Sequence, residues 1–163
     1  MSVVEGSDDR PTVAAQAARA RAMIDANAYM TIASADAVGV PWASPVWFAH
    51  HQYTEFLWVS RPDARHSNNI AARAEVGIVI FDSTVPEGSG DAVYLEGIAR
   101  EAGEAERSRM LVVLSTRSTD RGGAAWSAAD VTGDAPHRLY VARAVAHFVL
   151  DDHDRRVPVS IDG

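Results

Sequence analysis

The alternation of apolar and polar positions divides the chain into short β-type segments interrupted by three helical ones. An alanine-rich stretch from Pro11 or Thr12 to about Asn27 sets Val13, Ala17, Ala20 and Ile24 near helical spacing and predicts a first helix. Tyr29–Ser34 is short and β-rich. A turn over Asp36-Ala37-Val38-Gly39 should join it to a second strand, Pro41–His50. Pro45 within that strand lacks an N–H, which suits an edge, a bulge or a ligand-facing position. Phe56–Ser60 reads as a third strand and Pro62–Ala74 as a helix with Pro62 in its first turn. Val76–Asp82 is a continuous apolar run of strand type, and Ala92–Glu101 is a further strand in which Gly97 suits a bulge.

Glu104–Leu114 predicts a third helix with Met110, Leu111 and Leu114 on one face. A polar segment, Ser115–Ala135, then carries the isolated Trp126. His137–Asp151 is a long strand and Val157–Ile161 a short last one, whereas residues 1–10 read as a disordered N-terminal tail before a single domain over 11–163. Strands joined mainly by short turns imply an α+β fold. A six- to seven-stranded antiparallel barrel with about three flanking helices fits better than a doubly wound parallel sheet.

Composition narrows the function. A chain of 163 residues, 47% hydrophobic and 23% charged, has the profile of an ordinary globular domain with a substantial core. Its net charge of −7 argues against nucleic acid or an anionic membrane surface as the main partner. The absence of cysteine excludes disulfides, thiolate catalysis and cysteine-ligated metal centres. All 15 residues counted as Lys+Arg are arginine, so neither a Schiff-base lysine nor a P-loop lysine is available. The N-terminal MSVVEGSDDRP has no apolar signal core, and no apolar run approaches the roughly 18 residues of a membrane span. A cytoplasmic location is the resulting expectation.

Candidate chemistry concentrates in Val40–Arg73. The predicted second helix begins among Arg61, Arg65 and His66, although a helix N-terminus already carries partial positive charge. An anion, most simply a phosphate, would account for three basic groups there. On a helix Arg61, Arg65 and Asn69 would share a face, and Ser60 would offer a hydroxyl at the end of the preceding strand. A solvated arginine face paired with Asp63 and Glu75 accounts for the same residues. Trp42, Trp47 and Trp58 could wall a planar ring or fill the barrel core. His50, His51 and Glu55 do not form a metal set, because adjacent strand residues point to opposite faces. Asp151-Asp152-His153-Asp154 lacks the spacing of a calcium loop, and no metal site is expected.

The succession YMTIASADAVGVPWASPVWFAH, FLWVSRPDARHSNNIAARAEVGIVIFDS and AVYLEGIAR resembles the FMN-binding split-barrel family related to pyridoxamine 5′-phosphate oxidase. The resemblance spans about Tyr29–Arg100. It implies an α+β split β-barrel and FMN-dependent oxidoreductase activity on a small-molecule substrate. It also implies a homodimer with cofactor sites at the interface. Ser60 stands where the family places a Thr/Ser near the flavin phosphate, and Arg65 and His66 stand at its Arg-Lys phosphate pair. Ser44, Pro45, Val46 and Trp47 lie on the strand whose backbone faces the flavin ring, and Trp126 would help frame the ring and substrate space. Asn69 matches a helix asparagine that ties the helix to its neighbours.

Two departures point away from pyridoxamine phosphate as the substrate. Ser44 and Ala49 replace an Arg and a Lys of that enzyme's second strand, and no tryptophan follows Trp126. Related split barrels also imply two alternatives. One is a deazaflavin coenzyme whose acidic tail would use Arg61 and Arg73. The other is a non-catalytic flavin- or haem-binding protein, with His50, His51 or His147 as the axial group of a haem.

Overall fold

The computed structural model describes residues 12–161; the expected tail at 1–10 lies outside them. Helix α1, Val13–Ala26, starts at Thr12, whose hydroxyl accepts a hydrogen bond from the Ala15 N–H at 3.2 Å. Strands β1, Tyr29–Ala35, and β2, Pro41–Trp47, form a hairpin. Its turn depends on the Asp36 carboxylate, which accepts from the N–H groups of Val38 and Val40, and on Gly39 at φ +94°. The remaining strands are β3, Ala49–His51; β4, Glu55–Ser60; β5, Glu75–Phe81; β6, Ala92–Glu101; β7, Arg138–Leu150; and β8, Arg156–Pro158. Helix α2 spans Arg65–Ala72 and α3 spans Glu104–Asp120.

All eight strands belong to one antiparallel sheet in the order β2-β1-β5-β6-β7-β4-β3, with β8 added beside β7. The single long strand expected over Pro41–His50 is broken at Phe48. Up to Trp47 the chain pairs with β1; from Ala49 it pairs with β4 at the other end of the sheet. Phe48, fully buried, is where the strand changes partner, and its N–H bonds to the Ala28 carbonyl. That exchange curls the sheet into a split barrel. Pro45 is tolerated because β2 has one ladder neighbour. The β6–β7 register shifts between Glu96 and Gly97, the position that suited a bulge.

Two apolar clusters hold the structure. One fills the barrel with Met30, Ile32, Phe48, Phe56, Trp58, Ile78, Ile80 and Val93, closed at one end by Ala17, Ala20 and Ile24 of α1. Val13 falls outside it and is exposed. The second lies on the outer face of β4 and β7, where Leu57, Leu139 and Val141 meet Met110, Leu111 and Leu114 of α3. Strand β4 is therefore covered on both faces, which accounts for its run Phe56-Leu57-Trp58.

Helix α3 extends six residues beyond the expected Leu114. Ser115–Asp120 (STRSTD) consists mainly of weak helix formers, but tertiary contacts secure it. Arg117 donates to the carbonyls of Ile24 and Asn27 at 3.1 and 2.8 Å and lies 4.9 Å over the Phe48 ring. Arg121 donates to the Asp25 and Ala26 carbonyls. These guanidinium groups satisfy the free carbonyls at the C-terminus of α1, which ends without a basic residue of its own.

Candidate functional site

Helix α2 begins at Arg65, three residues later than the proline signal suggests. Arg61 therefore sits in the preceding turn and not on a face shared with Arg65 and Asn69, and its guanidinium pairs with Asp63 at 3.0 Å. Pro62 and Asp63 belong to that turn, closed by a bond from the Ala64 N–H to the Arg61 carbonyl. The helix has no side-chain N-cap, so the N–H groups of its first turn have no side-chain acceptor among the described residues.

The buried face of α2 is mostly polar, and each polar group has a partner. The His66 ring is 8% exposed, and its Nε2 lies 2.8 Å from the Ser60 hydroxyl at the end of β4. Burial holds the His66 pKa below the ordinary 6.5, so the ring is uncharged at neutral pH. Ser67 donates to the Arg61 carbonyl at 2.8 Å. Asn69 donates to Ser34 at 3.0 Å, and the Ser34 hydroxyl reaches the Trp42 carbonyl at 3.4 Å. A polar relay thus fixes α2 to β1 and β2.

Arg65 is the exposed cation of this corner. Its guanidinium lies 4.4 Å over the Trp42 ring, and among the described residues it has no ion-pair partner. Stacking uses the flat face of the group and leaves its N–H edge for an anion. Strand β2 runs from Trp42 away from this corner. Its Ser44 and Val46 side chains are buried, whereas Ala43 and Pro45 face outward. Toward an outer ligand Ser44 and Val46 can offer only backbone, while Pro45 presents a flat apolar surface.

At the other end of β2, Trp47 lines a cavity of about 260 Å³ with Val59, Leu114, Ser118 and Trp126. Trp126 is fixed by a single hydroxyl: Ser115 Oγ accepts from its N–H and donates to its carbonyl, both at 2.8 Å. Nothing in the spacing of Ser115 and Trp126 signals this, because the contact depends on the extended α3.

Two of the three remaining histidine candidates are committed internally, whereas the half-buried His51 ring has no hydrogen-bond partner among the described residues. His50 Nε2 lies 2.9 Å from Asp25 while its ring stacks on Tyr53 at 4.5 Å, and His147 Nε2 lies 2.8 Å from the Tyr53 carbonyl. Burial lowers the His50 pKa despite the neighbouring Asp25. Among the described residues no group of three or more His, Asp or Glu side chains is arranged to hold a metal ion, and no helix is long and apolar enough to cross a membrane.

An eight-stranded split barrel, carrying an arginine at an uncapped helix start beside an open strand face, defines the class. The chain belongs to the pyridoxamine 5′-phosphate oxidase family, whose model matches residues 17–147. No curated protein sequence matches it. Among solved structures it is similar to a heme-binding protein from Mycobacterium smegmatis, with a TM-score of 0.70 at 18% identity. That alignment covers 93% of this chain but 59% of the other. It is also similar to an FAD-binding protein from Mesorhizobium loti, with TM-score 0.57, 18% identity and coverage of 80% and 90%. An F420 reductase aligns with TM-score 0.56, 17% identity and coverage of 78% and 94%. At these identities the likeness is one of fold.

Proposed function

We propose that this protein is an FMN-dependent oxidoreductase acting on a small molecule other than pyridoxamine phosphate. The observation that carries the reading is Arg65, a guanidinium stacked on Trp42 at the uncapped start of α2, with no ion-pair partner among the described residues although the Asp36 carboxylate lies near enough to feel its charge. Arg65 and the first-turn N–H groups would hold the phosphate, with the Ser60 hydroxyl as a further partner oriented by His66. The strand Ser44-Pro45-Val46-Trp47 would lie along the ring. Bound FMN supplies hydride or electron transfer; the chain binds and orients it. The FAD-binding relative agrees with a flavin in this fold.

The protein would work as a homodimer with its cofactor sites at the interface. Part of the outward surface of β2, β1 and β5 supports this: Ala43 and Pro45, Thr31 and Ala33, Gly77, Val79 and Phe81 form an uncharged patch, bordered by Glu75 on β5 and by Glu96 of β6 beside Gly77. Such a surface has the small, apolar character of a subunit contact.

A deazaflavin is the second reading, favoured by the likeness to an F420 reductase, F420 being such a coenzyme. Its acidic tail would need cations beyond the phosphate corner. Arg61 is neutralised by Asp63, and Arg73 lies at the far end of α2, roughly 12 Å along the helix. FMN therefore fits these residues better. A haem would need an open histidine; His50 and His147 already use Nε2 on internal partners, which leaves His51 as the axial group of that reading. Titrating the purified protein with FMN and F420 in parallel, by cofactor fluorescence, tests the assignment. Tighter binding of F420, or a haem absorption band in the isolated protein, would replace it.

A further inference from the structure

We propose that the cavity between Trp47 and Trp126 receives the substrate ring, and that it selects a flat, uncharged molecule of one or two rings over a phosphorylated or carboxylated one. The proposal rests on the reading of the neighbouring strand as the flavin face. Its warrant is the chemistry of the walls. Trp47 and Trp126 supply two indoles, Val59 and Leu114 supply aliphatic surface, and the volume of about 260 Å³ lies near the small end of ligand sites. Stacking and apolar contact are what such walls offer.

Ser118 carries the one hydroxyl in the lining, already donated to the Ala124 carbonyl at 2.7 Å, and the Trp47 and Trp126 indole N–H groups are neutral donors, not cations. The arginines of the same helix turn are engaged elsewhere, Arg117 and Arg121 on the carbonyls that end α1. Arg138, at the start of β7, donates to the carbonyls of Gly133, Ala135 and His137. His137 meets Trp126 edge-on at 6.2 Å, outside the lining. An anionic group entering this half-open cavity would give up part of its water and find no cation in the wall to replace it, which selects against charge. The walls are also held in place: Ser115 clamps the Trp126 backbone from both sides, and Trp47 and Val59 sit on strands of the barrel.

Incorporating 5-fluorotryptophan into the full chain gives one fluorine resonance for each of its four tryptophans, assigned by single Trp→Phe variants. Titration with 2-naphthol, with and without FMN, is expected to move the Trp47 and Trp126 resonances and leave Trp58 unchanged. 2-Naphthyl phosphate should produce no such shift at tenfold higher concentration. Trp126→Ala should weaken 2-naphthol at least tenfold, with circular dichroism reporting whether the fold is intact; the comparison of the two ligands on the unmodified chain does not depend on that variant. Equal binding of the two naphthyl compounds overturns the proposal, as does failure of 2-naphthol to move either resonance. Competition between FMN and 2-naphthol also overturns it, since the cavity would then be the seat of the flavin ring. If 2-naphthol binds as expected and FMN does not bind at all, the cavity assignment stands and the flavin function falls.

Discussion

Ser60 and His66 form a single unit: the half-buried hydroxyl at the end of β4 and the buried imidazole in the first turn of α2 meet at 2.8 Å. Spacing suggests two separate anion ligands. The geometry instead makes His66 an uncharged ring that orients Ser60, so Arg65 is the fixed charge of the corner. A neutral buried histidine also couples folding to pH. Its folded pKa lies below the ordinary 6.5, so between the two values the unfolded chain binds more protons. The stability from neutral His66 is fully present above about 6.5 and is lost as pH falls through the folded value. His50 acts in the same direction. Urea unfolding at pH 7.5 and 5.5 should show a loss of stability at the lower pH, and the loss should be smaller in His66→Gln. An identical loss in both proteins would remove His66 as a source.

Arg65→Ala should weaken FMN by about 2 kcal/mol or more, the usual cost of losing a charge-assisted contact. Because Arg65 is exposed and its stacking partner Trp42 is at the surface, the melting temperature should barely change. Flavin fluorescence titration measures the first quantity and a thermal melt the second. Unchanged affinity would move the phosphate away from this helix.

Arg117→Ala is expected to do the opposite, destabilising the fold by about 2 kcal/mol while leaving FMN affinity intact. The variant removes hydrogen bonds to two α1 carbonyls and the cover over Phe48. Chemical denaturation beside the same titration separates the two effects. A loss below about 0.5 kcal/mol would mean that water replaces the guanidinium without cost.

Val79→Glu places a charge in the uncharged patch of β1, β2 and β5 that Glu75 and Glu96 border. If that face joins two copies, light scattering coupled to gel filtration should show a dimer for the unmodified chain and a monomer for the variant. A dimer that survives the substitution would put the interface elsewhere.

The fold was legible where one physical rule dominates. The β1–β2 hairpin follows from Asp36 and Gly39, the α1 start from Thr12, and β6 from its alternation; the irregularity expected at Gly97 is there, but its extra residue, Val145, belongs to the facing strand β7. Long-range compensation was not legible. Phe48 reads as the middle of one strand because its side chain suits either partner, and only barrel closure decides where pairing is exchanged. The last turns of α3 are poor helix by propensity and exist because Arg117 and Arg121 find carbonyls about 90 positions away in sequence. For the site, residue types were readable and charge states were not. His66 looks cationic until its burial is known, and Arg61 looks available until Asp63 is seen beside it.

Closing the barrel through one residue has a kinetic meaning. The β1–β2 hairpin forms from neighbours in sequence, whereas β4 must find β7 across pairs such as Glu55 with Arg143. Non-local pairing of this kind is slow and comes late in folding. The join at Phe48 is thus a seam, with an early-forming hairpin on one side and the last ladder on the other. The proposed cofactor strand ends at that seam. A ligand gripping both β2 and the β4–α2 corner would fasten it, and slowed amide exchange around Phe48 would register binding in the protein's own backbone.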